Sequence, residues 1–559
     1  MLEESPSLEK ESSVRTLPRP LTATDYRLSA RRWWVLVFVA TLFTLAVVQY
    51  SQQYGRLIFA VPTYEDSRYV TDGMHRLQEF YDRGLVAAVR SYFAGPPASP
   101  FSSGLAAVGY ALFGLRDWAP YAMDGLLVLC LLLYLDRRLY GMARWQATLV
   151  FFFVLLTPLP FLLVHEYRPD IACGMFTAIG ILTLVEAPLD EFTGAQMLAA
   201  GTAWGLALFT KPSIFPGTLI FLCGAVGISG SRMLAGGPDP SRWRRFARHA
   251  AVILGLAALI SLPYFVAGLK YQFQYVFSAV FSAERKNWVM AGGIRDHLLY
   301  YLTGPGGDQS FFAFRPVFAA VLLAGVFWAA FRRERRLLVE IAFAAAALFL
   351  GYIVPTVIPN KAFFGNATFS WLILFYASFT LAVILPGEHR RGTFRAAGAV
   401  LVCLLLAGAC IQFRWNKWGN AGSPYVQRSN EIMREMAHYL VREARAGKSR
   451  VFLSTIGMHT DLGMQYLAMK EQFHPRLMTI VITPFADSLD LYLAEIRKAD
   501  IVLATEAGAD MLPYPLPCIK YQEQILERLQ QDPDFYIARR LVAASGKSYY
   551  LFERGKSSH

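Results

Sequence analysis

Apolar segments of roughly 17 to 25 residues recur along this 559-residue chain, and they limit its fold more than any other feature. A helix rising 1.5 Å per residue needs about 20 residues to cross a hydrocarbon core of about 30 Å. About eleven runs have that length and few charges: residues 33–50, 118–136, 145–164, 171–187, 193–209, 212–229, 249–268, 313–331, 337–357, 368–386 and 396–413. With 55% hydrophobic and only 17% charged residues, the chain has too little polar surface to be wrapped as a soluble protein of this size. The expected fold is a membrane all-α, polytopic helical bundle of about 11 spans.

The net charge of +13 is not spread over one soluble face, as a nucleic-acid binder would require. It falls in short clusters between apolar runs: Arg31 and Arg32; Arg137, Arg138 and Arg144; Arg242, Arg244 and Arg245; Arg332, Arg333, Arg335 and Arg336; Arg390 and Arg391. A cytoplasmic N-terminus puts all of them inside, and the reverse orientation exports them all, so the positive-inside rule selects the first. Only the acidic loop at 188–192 contributes nothing to this choice. Residues 1–32 form a polar cytoplasmic tail, and the first apolar run, with no small-residue cleavage site after it, is expected to stay as an anchor. Five of the six cysteines lie in apolar runs, which leaves no disulfide framework for a soluble domain.

The segment 101–114 is apolar but too short to span, and counting it as a span would invert every later arginine loop. It reads as a re-entrant or interfacial helix. Together with the amphipathic stretch Met74 to Phe93 it makes the outer loop 51–117 membrane-hugging. A second outer loop, 269–312, carries Gly292-Gly293 and Gly304-Pro305-Gly306-Gly307, a composition suited to a mobile cover over substrate. The transmembrane domain thus covers 33–413. Residues 414–559 alternate amphipathic helices (425–446, 460–471, 486–498) with β-rich runs (451–453, 478–481, 501–503, 535–541, 548–553). They are expected to form a soluble α/β domain with a partly parallel sheet on the periplasmic or extracytoplasmic side.

Ionisable residues near membrane depth are costly and are read first as functional. In Tyr64-Glu65-Asp66-Ser67-Arg68-Tyr69, adjacent carboxylates repel, which suits one of them to accept a proton while Arg68 holds the other ionised. A solvated acidic turn is the plain alternative. In His165-Glu166-Tyr167-Arg168-Pro169-Asp170, helix capping explains Asp170. It does not explain His165, Glu166 and Arg168 beside it, which together suit anion binding. Lys211 and Lys361 sit at outer span ends. Snorkelling accounts for a single lysine there, but cations on that face also suit the phosphate of a lipid-linked substrate. In the second outer loop, Arg285, Lys286 and His297 are either substrate contacts or a solvated patch. His459 and Asp461 have no metal-ligand spacing with other His or Cys.

These motifs resemble the GT-C superfamily of integral membrane glycosyltransferases, especially the polyprenyl-phosphate-sugar transferases related to protein mannosyltransferases and lipid A aminoarabinose transferases. The family opens its first outer loop with Asp-Glu-x-x-Tyr, and this chain has Glu65-Asp66-Ser67-Arg68-Tyr69 with the acids in reverse order. Leu112-Phe113-Gly114 before a span at Trp118, Arg168-Pro169-Asp170, Phe209-Thr210-Lys211-Pro212 and Pro359-Asn360-Lys361 are similar to later family motifs. The resemblance covers about residues 33–413.

It implies a hexosyl- or pentosyltransferase of the cell envelope, in the inner (plasma) membrane, that moves a sugar from a polyprenyl phosphate to a glycan, lipid or protein acceptor on the outer face with inversion. Asp66 or Glu65 would be the base. Tyr69, Arg68, His165, Glu166, Arg168, Asp170, Lys211 and Lys361 would bind the substrates. A divalent cation (Mg or Mn) on Asp66 and Asp170 is a further possibility for neutralising the leaving phosphate, with no metal expected firmly. The competing reading is a transporter or flippase of a lipid-linked sugar. It is disfavoured because no internal repeat is visible and the charges sit at span ends.

Overall fold

The computed structural model describes residues 26, 28–53, 65–281 except 236 and 238, 290–304 except 291, 314–385 except 334, 359–360 and 362–364, residue 408, and 424–555 except 455–460, 472–477, 483–485, 487 and 509–516. From the N-terminus come α1 (Ala30–Gln53), α2 (Glu65–Ala94), α3 (Pro100–Phe113), α4 (Ala119–Met123), α5 (Gly125–Arg138), α6 (Arg144–Leu155), α7 (Pro158–His165), α8 (Pro169–Val185), α9 (Gly194–Thr210), α10 (Phe215–Ala235), α11 (Pro240–Phe281), α12 (Ile294–Leu299), α13 (Arg315–Arg332), α14 (Arg335–Val357) and α15 (Ala367–Ile384).

Among the described residues, six helices are long and apolar enough to cross a membrane: Ala30–Gln52, Ala119–Arg138, Pro212–Ala235, Pro240–Ser278, Leu337–Val357 and Ala367–Ile384. The expected run 145–164 is instead two helices, α6 and α7, bent by 54°. Pro158 and Pro160 explain the break, since proline cannot donate to a continuing helix but fits a first turn, and Pro158 stands at the start of α7. The expected runs 171–187 and 193–209 correspond to helices of 17 residues each, α8 and α9. The run 396–413 lies outside the described residues apart from position 408. By this measure the number of spans stays below eleven among the described residues.

Nothing in the sequence after residue 268 stops the helix, so α11 runs on for 42 residues to Phe281 and includes the first residues of the expected loop 269–312.

Buried helix ends and close helix contacts position the site. Trp371 of α15 is fully buried and donates its indole N–H to the Ile171 carbonyl of α8 at 3.0 Å, which fixes these two helices side by side. Helices α2 and α3 meet at Gly73, where a Cβ would fall 2.5 Å from Ala106 Cβ and 2.6 Å from the Ser103 carbonyl oxygen. Only glycine allows that approach. Eleven residues later α2 breaks at Gly84, whose φ of 79° belongs to the left-handed region. Beyond the break Leu85 and Val86 are exposed, the apolar face that a helix lying along a membrane presents to lipid.

The C-terminal part contains α16 (Pro424–Arg445), β1 (Arg450–Leu453), α17 (Asp461–Lys470), β2 (Thr479–Ile482), α18 (Leu489–Ile496), β3 (Ile501–Thr505), α19 (Pro517–Lys520), α20 (Gln522–Gln531), β4 (Phe535–Val542) and β5 (Ser548–Arg554). The strand order is β2-β1-β3-β5-β4; β1 pairs in parallel with β2 and β3, while β5 is antiparallel to β3 and β4. Side chains alternate faces along each strand. Phe452, Val502 and Phe552 pack with Tyr492 and Ile525 of α18 and α20. Val451, Leu453, Ile501, Leu503 and Leu551 point the other way, into a core shared with α16, α17 and the buried residues of the helical bundle. A single hydrophobic core therefore joins the sheet to the bundle.

Candidate active site

Asp66 sits in the first turn of α2, where a carboxylate is favoured by the helix dipole, and it is fully buried. Two donors converge on its Oδ2: the Tyr121 hydroxyl at 2.9 Å and the Tyr167 backbone N–H at 3.2 Å. Hydrogen bonds to a charged group contribute roughly 1.5–3 kcal/mol each. The two tyrosine rings lie 5.3 Å apart, and the Tyr167 hydroxyl donates to the Ser102 carbonyl of α3 at 2.7 Å. Asp66 is thus fixed by α4 and by the α7–α8 turn, and Tyr167 ties that turn to α3. Asp124, 4% exposed at the α4–α5 junction, is within electrostatic range of Asp66.

The α7–α8 turn holds the second motif. Glu166, 2% exposed, pairs with the Arg168 guanidinium at 3.3 Å. Pro169 starts α8 and places Asp170 in its first turn, where it accepts an ion-pair hydrogen bond from Lys211. Lys211 caps the C-terminus of α9, so each charge lies at the helix end whose dipole favours it. Next to it Ser99, at the start of α3, donates to the Thr210 carbonyl at 2.6 Å. His165 turns away toward α1. Its Nδ1 lies 2.6 Å from Ser51 Oγ, which is also within hydrogen-bond distance of the Val47 carbonyl. The ring stacks on Phe161 at 4.8 Å.

Two turns along α2 from Asp66, a chamber of ≈ 660 Å³ opens between α2, α3, α9 and α11. Its walls are mostly apolar, including Val89, Phe93, Phe101, Leu105, Phe209 and Ile260. Asp72 and Arg76 line it too and pair at 3.1 Å, and Arg76 also donates to Ser91 Oγ at 2.7 Å. The volume is within the roughly 300–1,000 Å³ of small-molecule sites, and the lining suits hydrocarbon with an anionic group near the guanidinium.

No family model and no curated protein sequence matches the chain. Solved structures do. The crystal structure of ArnT from Cupriavidus metallidurans in the apo state superposes with a TM-score of 0.56 at 15% identity, covering 94% of this chain and 98% of that one. The ArnT structure bound to undecaprenyl phosphate gives the same TM-score and coverage at 14% identity. The chain has the ArnT fold.

Within this ArnT-like fold the remaining expected residues are placed as follows. Tyr69 is buried beside Asp66 in α2, and Arg68 is exposed, within electrostatic range of Tyr264 of α11. Glu65 begins α2; its side chain, like Arg285 and Lys286, lies outside the described residues. Lys361 donates to the Pro355 and Thr356 carbonyls at 3.0 and 2.6 Å, at the end of α14, and lies 5.3 Å from the Tyr301 ring centroid. Burial lowers its ammonium to about 8. His297 is half-exposed on the short helix α12.

Asp66 and Asp170 are engaged separately, by tyrosines and by a lysine. Among the described residues no three His, Cys, Asp or Glu side chains are placed to hold a metal ion. Tyr121, Ser99, Asp124 and the Asp72–Arg76 pair were not singled out in the sequence. Only Asp124 carried a signal there, a carboxylate inside an apolar run.

Proposed function

We propose that this multi-pass membrane protein is a polyprenyl-phosphate-sugar glycosyltransferase of the inner membrane, acting on the outer face, with the N-terminus in the cytoplasm and residues 414–559 outside. The observation that carries the reading is Asp66. It is a buried carboxylate held in one orientation by Tyr121 and Tyr167, at the meeting point of the ends of α2, α7 and α8 and next to an apolar chamber. Such a group is placed to take a proton rather than to make a surface ion pair.

The donor's hydrocarbon enters the chamber beside Arg76, and its phosphate draws on Lys211 and Arg168. Asp66, or Glu65, accepts the proton of an acceptor hydroxyl or amine. The acceptor atom then bonds to the anomeric carbon as the bond from that carbon to the phosphate oxygen breaks, and polyprenyl phosphate leaves with the electron pair. One displacement inverts the anomeric centre. Bound undecaprenyl phosphate in a structure of the same fold supports the donor class. Whether the sugar is a hexose or a pentose is left open, as is the acceptor among glycan, lipid and protein.

The test is incubation of purified protein in vesicles with labelled undecaprenyl-phosphate sugars and candidate acceptors. Transfer by the wild type and its loss in Asp66→Asn is the expected result. Movement of label across the vesicle without transfer overturns the proposal in favour of a translocator.

A further inference from the structure

Among its described side chains, helix α17 has almost no solvent face. Gly463, Met464, Tyr466, Leu467, Ala468 and Met469 are buried, and Gln465 and Lys470 are half-exposed. A helix enclosed on all sides is an interior element. This one packs against α16 and β2 of the C-terminal part on one side and against α2 on the other. Two of its polar groups meet on one carboxylate: the Tyr466 hydroxyl and the Lys470 ammonium both donate to Asp117 Oδ1, the ammonium at 2.7 Å. Asp117 follows α3 by four residues and is 13% exposed, so the pair is shielded from the solvent that weakens surface ion pairs.

From Asp117 the contacts lead without interruption to the catalytic end of the molecule. Helix α3 is locked to α2 at Gly73, where no side chain fits between them. The Ser102 carbonyl of α3 holds the Tyr167 hydroxyl, and the Tyr167 N–H holds Asp66. A shift of about 1 Å at a reacting group can cost on the order of a hundredfold in rate.

We infer that the C-terminal domain is part of the transfer machinery: through Tyr466 and Lys470 it positions α2 and α3, and with them Asp66. Tyr466 and Lys470 are positioning residues and touch no substrate. The inference rests on the transfer reaction proposed above for its kinetic readout, and on backbone protection for a readout independent of it.

The experiment compares full-length wild type with Asp117→Ala, Tyr466→Phe, Lys470→Met and Lys470→Arg. It measures kcat and KM with the undecaprenyl-phosphate sugar that the wild type uses, and amide hydrogen exchange across 65–76, 100–113 and 461–470. Asp117→Ala and Lys470→Met are expected to lower kcat about tenfold or more with KM changed less than about twofold, the mark of lost transition-state positioning. Lys470→Arg, which keeps the ion pair, restores kcat. Exchange in 65–76 and 100–113 accelerates in the two damaging variants.

Wild-type kcat in both, or faster exchange confined to 461–470, overturns the inference. If the wild type transfers no sugar from any donor, the proposed reaction fails, and protection of 65–76 alone decides whether α17 holds α2 in place.

Discussion

Lys211, at the C-terminal end of α9, and Asp170, in the first turn of α8, form an ion pair in which each residue is mostly withdrawn from solvent. The lysine is therefore already committed to a carboxylate when substrate arrives. In the proposed reaction the donor phosphate would have to compete for it, which would tie binding to a rearrangement of the pair.

Removing one partner of such a pair leaves a charge without its counter-ion, at a cost on the order of 3 kcal/mol. Lys211→Met and Asp170→Asn should each lower the thermal midpoint in detergent, and the double variant should recover much of the loss. The double variant should still bind undecaprenyl phosphate more weakly than wild type in a direct binding assay. Additive losses in stability would show that the two residues act separately.

Asp66→Asn should reduce transfer by about 10²–10⁴, the usual contribution of a general base. Tyr121→Phe removes one charge-assisted hydrogen bond and keeps the ring, so a loss of roughly 1.5–3 kcal/mol predicts about a ten- to hundredfold fall in kcat. Unchanged kcat in Tyr121→Phe would mean that Tyr121 has no part in holding the base.

Lys361 predicts a pH effect on stability. Its ammonium is lowered from 10.5 to about 8 by burial. Below about 8 it is charged in both the folded and unfolded chain, and the folded state bears the full cost of the buried charge. Between about 8 and 10.5 the unfolded chain binds more protons than the folded one, so stability rises with pH through that window. The thermal midpoint of wild type relative to Lys361→Met should accordingly climb from pH 8 to pH 10. A constant difference would contradict this.

Gly73→Ala places a methyl group 2.5 Å from Ala106 Cβ and 2.6 Å from a backbone oxygen. Overpacking of this kind costs about 1–3 kcal/mol. Reduced thermal stability together with faster exchange in 100–113 is expected, whereas Gly84→Ala, with open space around it but a positive φ, should act only on the local break in α2.

Much of this was written in the sequence because charge is scarce in an apolar chain. Asp66, Glu166, Arg168, Asp170 and Lys211 stood out against their neighbours, and the structure brings Asp66 to the backbone of Tyr167 across 101 residues. Tyr121 did not stand out, since a tyrosine at a span end fits an aromatic belt as well as a hydrogen-bond donor. Ser99 did not stand out either; it caps α3 as well as reaching the Thr210 carbonyl. Hydropathy found α8 and α9 but not the bend between α6 and α7, because apolar counting ignores what Pro158 does to the backbone. The strands β1, β2 and β3 were visible as short β-branched runs. The docking of α17 was not, because packing on two sides at once leaves no periodic face to read.

The shared core also has a consequence for biogenesis. Val451, Leu453, Ile501 and Leu503 belong to a core that continues through α16 and α17, and α17 packs on α2, several hundred positions earlier in the chain. Helix α17 thus cannot reach its final packing until α2 is in place to receive it. A fragment of residues 414–559 produced alone would leave bare the side of α17 that packs on α2, and would tend to aggregate through it.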